Sequence, residues 1–145
     1  MSLRKNLEGP LALPAPAVEW LMDLWEVVQA FDDWQDGDEA PQKTMAMWKA
    51  LVGMPSNPFF QANSALLLPV MSNAFLQWVA SDAVEKKQEK SQLPKAYVWR
   101  ASYYGVVLQV VSVVHGVSNA LVAAPSVLGL YGETLESYLK EMADA

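Results

Sequence analysis

Lys95–Ala123 reads KAYVWRASYYGVVLQVVSVVHGVSNALVA, and the fold class turns on what this stretch becomes. The Val-rich run at 106–114 has β-branched composition, but no turn residues bound it at strand spacing and it lies inside a longer helical pattern. Residues 105–123 are about long enough to cross a bilayer core, which takes roughly 20 residues. Gln109, Ser112, His115, Ser118 and Asn119 argue against a span, since polar groups in hydrocarbon need partners. The stretch therefore predicts one long, buried central helix. Along it Ala101, Gly105, Ser112, Gly116 and Asn119 form a stripe of small residues that lets another backbone approach closely. The same face offers hydrogen-bonding groups at Gln109, Ser112, His115 and Asn119, as a pocket wall or a packing stripe. His115 is the single histidine, and in an apolar helix it reads as a core residue bonded to a carbonyl or a serine rather than as a catalyst.

Working outward from that helix, Pro125, Gly129 and Gly132 interrupt the pattern, and a last amphipathic helix carries Leu135, Tyr138, Leu139 and Met142. On the N-terminal side, Asn57-Pro58 supplies an N-cap and a first helical residue for a helix reaching about Lys87. Pro69 must kink or split that helix, because proline lacks the ladder donor and crowds the preceding turn. The mixed charges from Glu85 to Lys95 mark a solvated surface. A shorter helix over about Gln42–Val52 carries Met45, Trp48 and Leu51. Val18–Asp33 is amphipathic, with Trp20, Leu24, Val27 and Phe31 on one face and Glu19, Asp23, Glu26 and Asp33 on another. Residues 1–17, with Pro10, Pro14 and Pro16, predict an extended Pro/Ala-rich arm ahead of a helical domain over 18–145. The expected architecture is an all-α, single-domain bundle of five or six helices.

Composition narrows the function classes. The 145 residues suffice for one domain with its own core, and cysteine is absent, which excludes disulfide frameworks, thiolate metal sites and cysteine nucleophiles. A net charge of −6 with only 10 Lys and Arg excludes a nucleic-acid footprint. Apolar residues reach 52% and charged residues only 18%, with six tryptophans, so there is more apolar surface than one small core absorbs. That surplus predicts a subunit interface, with a second copy or another protein as partner. The N-terminus lacks the apolar run of a signal peptide, and the expected location is cytoplasmic or otherwise intracellular, with no membrane partner.

One segment is chemically conspicuous. Asp32-Asp33-Trp34-Gln35-Asp36-Gly37-Asp38-Glu39 ends the first amphipathic helix. Acids there oppose the helix dipole, a local cost that helix propensity does not explain. If the helix continues through Asp36, Asp32 and Asp36 point the same way and suit Mg²⁺, which takes one or two carboxylates plus substrate phosphates. A calcium loop does not fit, since Trp34 and Lys43 fall where ligands are required. Asp32, Asp33 and Asp36 resemble the D-D-x-x-D motif of the isoprenoid (terpenoid) synthases. The resemblance implies Mg²⁺ on these three aspartates and a diphosphate ligand. That family's second metal motif, N-D-x-x-S-x-x-x-E, has an echo in Gln77, Ser81 and Glu85, with Gln for Asn and Trp78 for Asp. Asp23-x-x-Glu26 and Asp82-x-x-Glu85 resemble, more loosely, the metal motifs of all-α nucleotide pyrophosphatases. As plain sequence, these pairs read as solvated helix faces.

Two functional expectations follow. The first is a small all-α interaction or assembly module, homo-oligomeric and without a catalytic set. The second is a Mg²⁺-dependent protein that binds or processes a diphosphate through Asp32–Asp36.

Overall fold

A computed structural model describes residues 2–39 and 42–144. The fold is all-α, with no strand among the described residues. Contacts gather the chain into two compact units, Met1–Ser64 and Ala65–Ala145.

The first unit holds α1 (Leu3–Glu8), α2 (Ala15–Gln35), α3 (Lys43–Trp48), a π-helical turn (Lys49–Gly53) and the single turn α4 (Met54–Ser56). The extended arm expected over 1–17 is not what forms. The Ser2 hydroxyl accepts from the Lys5 N–H and caps α1, and Leu7, Leu11 and Leu13 are buried. So short a helix is marginal alone and holds here because it packs on α2. Arg4 adds a hydrogen bond of 2.6 Å to Glu19. In α2, Ala17, Val18, Trp20, Leu21 and Leu24 are buried, while Val27 is half-buried and Phe31, at the far end of the expected apolar face, is exposed. The helix between Gln42 and Val52 continues beyond its expected end, because Lys49–Gly53 takes up the wider π geometry and leads directly into α4.

α5 (Pro58–Lys87) begins and ends where the sequence places it. Asn57 Oδ1 accepts from the Phe59 and Phe60 N–H groups, and its Nδ2 donates to the Pro16 carbonyl. The Phe60 ring stacks on Trp20 at 5.7 Å. Pro69 lies inside α5 without splitting it. One helix among the described residues is long and apolar enough to cross a membrane, and it is α5, by length and composition alone.

The second unit continues with α6 (Leu93–Arg100), α7 (Tyr103–His115), α8 (Val117–Val127) and α9 (Leu135–Asp144). The single long helix expected over 95–123 is therefore broken twice, at Ala101–Ser102 and at Gly116. Gly116 sits at φ 86°, ψ 159°, a region open essentially to glycine alone. It ends α7 and lets α8 fold back to pack along it. The stripe of small residues is consequently divided between separate helices. Val106, Val107, Val110 and Val111 are buried on α7, joined by Val127, Leu130 and Tyr138.

Candidate functional site

In the first unit α2 and α3 leave a groove of about 590 Å³ between them. Its α2 wall is Trp25, Glu26, Gln29, Ala30 and Asp33, and its α3 wall is Gln42, Met45, Ala46 and Lys49. Both sets recur at three- and four-residue spacing, so each wall is one face of a helix. Lys49 closes one end. Its Nζ hydrogen-bonds Glu26 and lies 3.6 Å from Asp23 Oδ1. The Glu26 bond, before the nearby acids, raises the Lys49 ammonium above its ordinary value. At Asp23 burial is the largest influence and pushes the carboxyl up, outweighing the opposite pull of Lys49.

Beside the groove, α3 and the π turn turn apolar side chains outward. Met45, Met47, Trp48, Leu51 and Val52 are 47–68% exposed, while Ala46 is buried. Gly53 makes this arrangement possible. A Cβ at Gly53 would come within 2.9 Å of the Trp48 ring, so the indole lies against the bare backbone of the π turn. The sequence reading placed Met45, Trp48 and Leu51 on this helix without assigning the face they form. The signal for exposure was present in Met47 and Val52, which place apolar groups on too many sides of one short helix to be buried together.

The acidic segment closes α2 as an ordinary helix end. Asp36 is the C-cap, with its N–H on the Asp32 carbonyl, and Gly37 at φ 77° turns the chain into the left-handed region. The Asp38 N–H then donates to the Asp33 carbonyl at 2.8 Å. Asp33 borders the groove, and Asp36 is exposed. The end of the acidic turn, at residues 40 and 41, lies outside the described residues. Among the described residues no three carboxylate or imidazole groups come together as a metal-binding set.

The echo of a second metal motif lies in the other compact unit, and its side chains have structural partners. Gln77 Oε1 accepts from the Ser102 hydroxyl at 2.7 Å. The buried Ser81 hydroxyl donates to the Trp78 carbonyl. Glu85 Oε2 accepts from the Tyr138 hydroxyl at 2.8 Å and lies 3.6 Å from Arg100. The loosely matching acid pairs are likewise engaged, Asp23 and Glu26 with Lys49, and Asp82 with Lys86. Of the polar groups assigned to the long helix, Gln109, Ser112 and His115 are half-buried on α7. Asn119 is exposed on α8, its Nδ2 donating to the His115 carbonyl. The break at Gly116 places Asn119 on a different helix from the other three.

No family model, curated protein or solved structure matches this chain.

Proposed function

We propose that the chain is an assembly module whose first unit associates with a second copy of itself through the Met/Trp face of α3 and the π turn. The observation that carries this is the outward position of Met45, Met47, Trp48, Leu51 and Val52 around a helix whose inner contact is a single alanine. An uncharged apolar face is complementary to itself, which suits the isologous contact of a two-fold dimer. Methionine and tryptophan are the residue types that adapt to and anchor such contacts. Burying the exposed parts of the five side chains is worth about 5 kcal/mol on each copy, or about 10 kcal/mol for the pair, which is comparable with the cost of association and makes the dimer concentration-dependent. In the groove beside the face, Lys49 is held by Glu26 and Asp23.

Sedimentation equilibrium between 1 and 100 µM tests the proposal. The parent chain should show a rising mass, and the Met47→Asp/Trp48→Asp variant should remain at monomer mass with its helical circular dichroism intact. A parent that stays monomeric at 100 µM, or a folded variant that associates equally well, would refute it.

A further inference from the structure

The last helix is fastened to the second unit by few side chains. α9 packs on α6. Of its 10 residues Tyr138 is the one that is fully buried, Leu139 and Met142 are half-buried, and the rest are exposed. So short a helix is marginal alone, and its attachment decides whether it persists. Just before it the chain is anchored again. Leu130 is buried, and Tyr131 stacks on Tyr104 at 4.7 Å and accepts at its carbonyl from the Tyr104 hydroxyl at 3.1 Å. Gly132, Glu133 and Thr134 join this anchor to α9. A Cβ at Gly132 would meet nothing within 4 Å, so the joint has open space around its most permissive residue.

What holds α9 is a clasp of polar and aromatic groups. The Tyr138 hydroxyl donates to Glu85 Oε2 at 2.8 Å, and the Tyr138 ring meets Tyr97 at 5.3 Å. The Tyr97 hydroxyl donates to the Glu133 carbonyl. Arg100 lies over the Tyr138 ring, 5.4 Å from its centre, and stands 3.6 Å from Glu85 and 3.7 Å from Glu133. One guanidinium therefore faces two carboxylates, and the three side chains are 15–31% exposed. At that depth water screens charge poorly, so Arg100 offsets a repulsion between the carboxylates as well as attracting each of them. Leu93 and Ala96 are buried on the same face of α6 as Tyr97 and Arg100, by their three- and four-residue spacing.

We propose that α9 is a latch, which opens as a unit about Gly132 while α5–α8 stay folded, and that Arg100 sets how tightly it closes. Segments with few buried apolar contacts open at lower free energy than the core around them. α9 contributes one buried ring, whereas α7 buries Val106, Val107, Val110 and Val111 together. Opening withdraws Glu133 and Tyr138 from Tyr97 and Arg100 and turns that face of α6 to solvent. Closing restores the ring contact, the hydroxyl bond and the shared guanidinium at once, which makes the step all-or-none. The latch is separate from the Met/Trp face of α3, so it stands whether or not the chain self-associates.

Native-state hydrogen exchange of the full chain, resolved by residue with NMR, provides the test. Protection of the Leu139–Met142 amides should be at least tenfold below that of Val110 and Val111. Arg100→Met should lower α9 protection at least a further tenfold and leave Val110 and Val111 unchanged, a response that simple fraying of a chain end does not give. Tyr138→Phe keeps the ring and removes the donor, and should lower α9 protection by less than Arg100→Met does. Adding Glu85→Gln to Arg100→Met should recover part of the loss, since one facing carboxylate is gone and the amide oxygen still accepts from Tyr138. Equal protection of α9 and α7 in the parent would overturn the proposal. So would an Arg100→Met variant with unchanged α9 protection, one with protection lowered equally throughout the second unit, or no recovery on adding Glu85→Gln.

Discussion

Lys49 shows how a single side chain can support two carboxylates of unequal standing. Asp23 and Lys49 each keep only about a fifth of their side chains exposed, at 22% and 20%, whereas Glu26 is half in water. Replacing Lys49 with methionine keeps the packing of the stem and removes the charge. The expected loss at pH 7 is about 1–2 kcal/mol, between the values for exposed and buried pairs. Its pH dependence identifies the source. The Asp23 carboxyl is raised in the fold, so its contribution is present at low pH and lost as pH rises through its folded value. Without Lys49 that loss is unopposed. The deficit of Lys49→Met against the parent should therefore be larger at pH 7 than at pH 5, measured by urea unfolding at both.

Among the elements, the α7–α8 hairpin depends on one backbone conformation. Gly116→Ala forces a side chain into a region that costs about 1–3 kcal/mol, or roughly 4–12 °C of melting temperature for a chain of this size. In an uninterrupted helix the same substitution would be stabilising by about 1 kcal/mol, so a thermal melt distinguishes the two arrangements. The sequence favoured the uninterrupted helix because a glycine among valines and serines has two meanings, close packing or a turn, and only the positive φ separates them. α5 was legible for the opposite reason. Asn57 and Pro58 state its start in local chemistry, and the Asn57 side chain performs the capping that its position implies. α1 was hidden because three prolines nearby suggest an extended chain, while burial of Leu7 depends on α2, a contact that local sequence does not encode. The aspartates of α2 were legible as a helix end, but the absence of a gathered set of three such groups among the described residues was not, because that depends on what the fold brings to them.

For the molecule as a whole, apolar surface is left on several helices, in places among charges, as with Phe31 and Trp34 beside the acids that end α2. The exposed faces on α3 and α8 carry no charge, while the chain around them carries −6 at pH 7. Repulsion between copies therefore comes from outside the contact proposed for the first unit. Self-association at low ionic strength should tighten as pH falls from 8 to 5.5, and 0.3 M salt should remove most of the difference. Sedimentation at the four conditions measures it. The surplus of apolar residues was readable from composition, but its spread over exposed positions on α3, α5 and α8 was not. Composition counts apolar groups without saying which helices leave theirs uncovered.

The π turn at Lys49–Gly53 has a consequence for the length of the chain. A π turn is an α-helix holding one residue more than its ladder of hydrogen bonds can use. The chain thus carries a spare residue at this place, beside Lys49 and beneath Trp48. Deleting the exposed Ala50 should return the turn to α geometry and leave a folded protein, with a melting temperature within a few degrees of the parent. A deletion in the middle of α2 would rotate half of its buried face into water. Insertions and deletions of a single residue, ordinarily confined to loops, have here a point of entry inside a helix.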